Sequence, residues 1–137
     1  MIDRVSRHCI LKKLENKKAE TVSNAVVSCL KQHAYTVLTM TSDNGTEFTN
    51  HKEISNALGL MYFFAHPYAS YERGSIENLN GLVRQYIPKG TEFSEIDDSF
   101  VKQIQDKLNS RPRKVLGYLT PNQYTISYKK QELQLQV

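Results

Sequence analysis

Two acids at a fixed separation are the residues of this chain best suited to chemistry. Asp43 stands in Ser42-Asp43-Asn44-Gly45 and Glu77 in Gly74-Ser75-Ile76-Glu77-Asn78, with thirty-three residues, 44 to 76, between them. Asp43 follows the apolar run Val37-Leu38-Thr39-Met40, so it belongs at the end of a buried strand, whereas Glu77 falls in the first turns of a later helix. A strand end and a helix face can converge on one metal cluster. Carboxylates are the ligands that hard cations such as Mg²⁺ prefer. Acids held in this way serve enzymes that cut and join phosphodiester bonds with two divalent ions roughly 3.5–4 Å apart. Taken alone, Asp-Asn-Gly is a common turn; its pairing with Glu77 favours the metal reading.

Other residues near these acids could handle a nucleic acid. Asn78 flanks Glu77, and Arg73, Arg84, Lys89, Arg111, Arg113 and Lys114 cluster from the loop before the helix onward. Contact with backbone phosphates is their natural use, and a solvated basic face is the alternative. Tyr68 and Tyr71, in the loop beside the acids, could stack on a splayed base or pack the loop down. Glu47 and Glu72 read as solvated acids, and His8, His33, His51 and His66 lack metal-ligand spacing.

The elements that must position these groups alternate in type. Arg7 to Leu14 reads as a short strand. Asn16 caps a helix whose face carries Ala19, Val22, Val26, Cys29, Leu30 and His33. Tyr35 to Met40 is a nearly continuous apolar and β-branched run, the pattern of a strand covered on both sides. Asn50 with Glu53 resembles a capping box, opening a short helix that Gly59 stops. Leu60 to Ala65 is the next strand, and a breaker-rich loop from His66 to Gly74 leads into a helix over Ser75 to Tyr86. Its inward stripe is Ile76, Leu79, Val83 and Tyr86; Glu77, Asn80, Gly81 and Arg84 share another face. A further helix starts at a Ser94 cap, turns Phe100, Ile104 and Leu108 inward, and ends before Pro112. Thr120-Pro121 opens a last one, and Lys129 to Val137 reads as a fraying polar tail. Strand-helix-strand-helix-strand with short connections implies an α/β fold with parallel strands.

With 137 residues, 39% hydrophobic and 23% charged, the chain suits one folded domain over 1–137. The net charge of +4 favours an acidic partner. No apolar stretch approaches the roughly 20 residues of a membrane helix, and the first residues lack a signal-peptide core, so a cytoplasmic protein is expected. Cys9 and Cys29 lack zinc spacing and read as buried free thiols.

Read together, Asp43-Asn44-Gly45-x-Glu47-Phe48, Pro67-Tyr68, Arg73-Gly74, Glu77-Asn78 and Asn109-x-Arg111-Pro112 resemble the catalytic core of bacterial insertion-sequence transposases of the D-D-E type, relatives of retroviral integrases. Leu82-x-Arg84-Gln85-Tyr86-x-Pro88-Lys89-Gly90 and Leu116-Gly117-Tyr118-x-Thr120-Pro121 extend the resemblance over nearly the whole chain. It implies a ribonuclease H-like fold with extra C-terminal helices. It also implies two Mg²⁺ or Mn²⁺ ions in the complete enzyme, held in part by Asp43 and Glu77, and DNA as substrate, both transposon ends and target. Such a protein would work at the bacterial nucleoid.

The family pattern has a third carboxylate on a first strand, and that strand is central in its sheet. Here Asp3-Arg4-Val5-Ser6-Arg7 resembles instead the hairpin that follows it, with Asp3 as a turn residue. A core lacking that strand would leave two unpaired edges, which tend to find another chain. A homodimer, intertwined across the gap, and little or no catalysis by these residues alone are therefore expected. Two other readings stand beside this one: a non-catalytic DNA-binding and dimerising remnant, and a ribonuclease H-like nuclease.

Overall fold

The apolar run after Tyr35 forms β2 (Val37–Ser42), and Met61–Phe64 pairs with it in parallel as β3, in the register Thr39↔Met61 to Ser42↔Phe64. The structure is a computed structural model that describes residues 1–32, 37–127 and 133–136. Tyr35, the first residue of the expected strand, and His33 on the expected helix face lie outside the described residues. Between the parallel strands runs the crossover through α2 (His51–Leu58), which Gly59 closes in the left-handed conformation at φ 64°. A residue with a Cβ would be strained there, which is why glycine ends this helix. The capping box expected at Asn50 and Glu53 does not form. Asn50 makes no side-chain cap bond, because a 3₁₀ turn over Thr46–Phe48 already feeds the chain into the helix.

The first helix, α1, covers Ala19–Lys31. Asn16 lies outside it, accepting hydrogen bonds from Lys18 N and Thr21 Oγ1, so it braces the entry and does not occupy the cap position. Val22, Val26 and Leu30 of α1 pack with Val37, Met40, Phe48, Ile54 and Leu60 into one apolar cluster. Met40 is 0% exposed and Ile54 1%. Burial of side chains of this size stabilises by about 1.5–3 kcal/mol each.

A second cluster joins Ile2 and Cys9 to Ile76 and Leu79 of α3 (Gly74–Arg84), to Ile87 and Ile96, and to Ile104 and Leu108 of α4 (Asp98–Asn109). The α4 cap is Asp97, whose side chain accepts from Phe100 N at 2.7 Å, and not Ser94, which lies in a preceding 3₁₀ turn. Moving the cap rotates the start of the helix, and Phe100, expected inward, is 38% exposed. The last helix, α5 (Pro121–Ser127), has the expected start. Thr120 Oγ1 accepts from Gln123 N, and Gln123 Oε1 accepts from Thr120 N, a reciprocal capping box.

One expectation fails near the start of the chain. Arg7 to Leu14 is not a strand. Its described backbone pairing is a single antiparallel bridge, Ile2↔Cys9, extended by reciprocal bonds between Met1 and Ile10. Side chains of α4 take the place of a neighbouring strand: Asn109 accepts from Cys9 N at 2.8 Å and donates to Cys9 O at 2.9 Å, and Gln105 accepts from Leu11 N. Of the expected tail, residues 129–132 and 137 lie outside the described residues. Leu133–Gln136 forms β4, antiparallel to the short β1 (Ile2–Asp3) and parallel to β2, giving the sheet order β1-β4-β2-β3. The two strand edges expected to lie open are therefore occupied from within the chain. The alternation Leu133-Gln134-Leu135-Gln136 is the two-residue period of a strand, and an exposed ladder captures such a segment.

Candidate functional site

Asp43 follows β2 directly, and its carboxylate is fixed from two sides. Oδ1 accepts from Gly45 N at 3.1 Å, and Oδ2 lies 3.1 Å from Arg73 Nη1. Asn44 donates to Ala65 O at 3.1 Å and so ties the same turn to the end of β3. A Cβ on Gly45 would lie 3.0 Å from Asp43 Oδ1 and against the Glu47 carboxylate, so the Glu47 side chain would have to swing aside. Asp43 and Glu47 thus crowd one glycine with like charges, a repulsion that a cation would relieve.

Arg73 closes the 3₁₀ turn Ser70–Arg73 and is the residue immediately ahead of α3, so its ion pair fastens the end of β2 to the start of that helix. Glu77 lies in the first turn of α3 and is exposed, on the face it shares with exposed Asn80, Gly81 and Arg84. The buried stripe of α3 is Ile76 and Leu79, as its periodicity requires. Asp43 and Glu77 carry carboxylate oxygens, the donor type that hard divalent cations prefer. The number falls short: among the described residues no group of three or more His, Cys, Asp or Glu side chains converges on one point. Asp3 is no third ligand of an open site. It is 2% exposed, ends strand β1 instead of lying in the turn, and accepts from Ser6 N at 2.7 Å.

The basic and aromatic residues divide into separate groups. Tyr71, Asn78 and Arg113 line one cavity together with Arg4, Arg7 and Ser75. Arg84 and Lys89 line another depression beside Phe93. Arg111 and Lys114 are exposed on either side of Arg113, and Tyr68 is fully exposed with a left-handed backbone, φ 62°. Arg73 faces Asp43 and is the member of the basic set committed to an acid. Arg4 and Arg7 escaped sequence reasoning because they sit in a hairpin remote in sequence from both acids; their only signal was charge at a turn.

Two further groups differ from expectation. Glu72 is not merely solvated, because it accepts from His66 N at 2.8 Å and pairs with His66 Nδ1 at 2.9 Å. The backbone hydrogen bond first, and the side-chain bond second, hold its pKa below the usual glutamate value. Cys9 is buried, and burial pushes its thiol pKa up to about 11, whereas Cys29 is half-buried; both are free.

Comparison with known proteins bears on the fold and the family of the chain. No protein-family model matches the chain. It is 48% identical over 121 residues to the transposase for insertion sequence element IS4351 of Bacteroides fragilis, covering 88% of this chain and 37% of that protein. It is 42% identical over 118 residues to a probable transposase for insertion-like sequence element IS1161 of Streptococcus salivarius, covering 86% and 33%. To the transposase InsI of IS30A from Escherichia coli K12 it is 33% identical over 124 residues, covering 90% and 32%. The chain thus spans about a third of the length of the curated relatives it matches. The catalytic core domain of BIV integrase superposes with a TM-score of 0.61 at 22% identity, covering 86% of this chain and 77% of that one. This likeness shows the ribonuclease H-like integrase-core fold, and with the sequence matches it makes the chain a homologue of the insertion-sequence transposases, corresponding to about a third of their length.

Proposed function

We propose that this chain is the catalytic-core segment of a DNA transposase, acting in metal-dependent nicking and strand transfer at transposon ends. The observation that carries the reading is the ion pair from Asp43 to Arg73, which fastens one acid to the start of the helix bearing the other. Asp43 and Glu77 would hold Mg²⁺ or Mn²⁺. Bound divalent ions would supply Lewis acidity to the attacking and leaving oxygens of the phosphodiester. The residues of the chain itself do the positioning. The Gly45 amide and the Arg73 guanidinium fix the Asp43 carboxylate, and the α3 backbone presents Glu77 to solvent on the same exposed face as Arg84. DNA is the partner, held through Asn78, Tyr68, Tyr71 and the basic residues.

With two acids where the chemistry calls for three, these 137 residues by themselves hold the ion weakly and cut little or no DNA. That shortage, and the engagement of Asp43 by Arg73, favour a second reading in which the isolated chain binds DNA without cleaving it. Since β4 fills the sheet from within, a homodimer would form by exchange of β4 between two copies. Mn²⁺ titration followed by paramagnetic broadening of backbone amides tests the site. Broadening confined to the surroundings of Asp43 and Glu77, and lost in Glu77→Gln, is expected. Broadening that ignores both acids rejects the assignment. Nicking of a labelled end duplex by this chain with Mn²⁺ would remove the second reading.

A further inference from the structure

A cavity of about 620 Å³ opens between the turn at residues 4–7, the first half of α3 and the loop at Arg113. Its polar lining is set by Arg4, Arg7, Arg113, Ser75 and Asn78, with Tyr71 at the rim, 83% exposed. Among the described residues none of the three guanidinium groups forms an ion pair with a carboxylate. Glu72, the acid that reaches this cavity, is bonded to His66. Arg7 donates to Ser75 Oγ, and Arg113 donates to Leu108 O at 3.0 Å. Arg113 Nε is buried without a partner among the described residues. A buried donor left unpaired is destabilising, and an anionic oxygen would satisfy it.

Three like charges around one cavity also repel one another. Burial first, then the nearness of Arg111 and, to a smaller extent, Arg7, lower the pKa of Arg113. Arg7 adds a backbone argument. It holds the left-handed conformation at φ 59°, where glycine or asparagine would sit with less strain. The turn itself gives no reason for arginine there, whereas an anion in the cavity does.

We propose that this cavity is a phosphate-binding pocket that seats one backbone phosphate of a DNA strand, gripped by Arg4, Arg7 and Arg113 while Asn78 donates from α3. Tyr71 at the rim would stack on the adjoining base. The nucleic-acid source of the phosphate rests on the transposase reading; the anion chemistry does not. The site differs from the acid pair, because Asn78 faces this cavity while Glu77, its neighbour, does not line it.

Two measurements on the 137-residue chain test it. Fluorescence anisotropy with a labelled duplex from 50 to 200 mM KCl gives the dependence of log K on log salt. Arg4→Gln, at an exposed position, and Arg113→Gln should each lower the slope by about 1, and the exposed Lys31→Gln on α1 should not. Titration with inorganic phosphate, followed by amide NMR, should shift Arg4, Ser75 and Asn78. Circular dichroism of each variant checks folding, and Arg4→Gln decides the matter if Arg113→Gln does not fold. Unchanged slopes with intact DNA binding and no phosphate shifts overturn the pocket and leave the transposase reading standing. If the parent chain fails to bind DNA but phosphate still shifts those amides, the pocket is supported as an anion site and the transposase reading falls.

Discussion

Asp43 Oδ2 and Arg73 Nη1 lie 3.1 Å apart, with side chains 42% and 26% exposed, so the acid most central to the proposed chemistry is neutralised by the residue that precedes α3. The pair has two consequences. Arg73 keeps the carboxylate in place, and it competes with a cation for the same oxygen. Arg73 Nε is buried without a partner among the described residues, so loss of its acid leaves a poorly solvated charge. Asp43→Asn should therefore destabilise the fold by about 1 kcal/mol, a figure held down by solvent screening at these exposures. Arg73→Gln should bind Mn²⁺ several-fold more tightly than the parent chain, because the competitor is gone. Urea denaturation and calorimetric Mn²⁺ titration check the two; weaker Mn²⁺ binding by Arg73→Gln would mean that the arginine positions the acid more than it competes.

Much of this arrangement was legible from residue order. The run before Asp43 is apolar because β2 is a central strand, and α3 shows its buried stripe through Ile76 and Leu79 because one side of that helix faces the core. Gly59 and Thr120-Pro121 marked helix ends through backbone preferences that act locally. The failures share a cause: they depend on contacts distant in sequence. The segment around Cys9 is held by Asn109 and Gln105, which no local pattern announces. The partners of β4 lie at the opposite end of the chain and in its middle. The ion pair of Asp43 and the gathering of Arg4, Arg7 and Arg113 around one cavity likewise arise only on folding.

Asn109 is 3% exposed, and its amide serves both backbone groups of Cys9, itself 1% exposed. Asn109→Ala would leave a buried N–H and a buried C=O without partners, each worth about 1–3 kcal/mol. A loss of about 3 kcal/mol in a urea titration is expected. Asn109→Asp keeps the acceptor for Cys9 N and loses the donor to Cys9 O, so it should not restore stability. A fall below about 0.5 kcal/mol for the alanine variant would show that water replaces the amide.

Among the described residues, strand β4 pairs with β1 on one side and with β2 on the other. Ending the chain after Ser127 removes its ladder hydrogen bonds, each contributing about 1 kcal/mol net, and exposes two strand edges together. The shortened chain should lose several kcal/mol of stability and shift to dimers or larger species by light scattering at micromolar concentration. Unchanged stability with a monomeric mass would show that the tail contributes nothing to the sheet in solution.

The loop carrying Tyr68 and Tyr71 is closed by Glu72, which accepts from the His66 amide at 2.8 Å and meets its ring at 2.9 Å. These hydrogen bonds favour the ionised carboxylate, the backbone bond most, so its pKa lies below the ordinary glutamate value. A depressed carboxyl pKa contributes stability that is fully present above the unfolded value and is lost as pH falls through the folded one. The loop should therefore stay closed at neutral pH and open only in acid, below the ordinary glutamate range. Carbon NMR of the Glu72 carboxyl checks the sign, with a midpoint below that of an unstructured glutamate expected. Glu72→Gln should speed exchange of the His66 amide roughly five-fold at neutral pH, the effect of losing one hydrogen bond of ordinary strength. It should also weaken any DNA contact that needs both tyrosines held on one face. An unshifted midpoint, with exchange at His66 unaltered by the substitution, would mean that the loop is held by its 3₁₀ turn over Ser70–Arg73 and not by this acid.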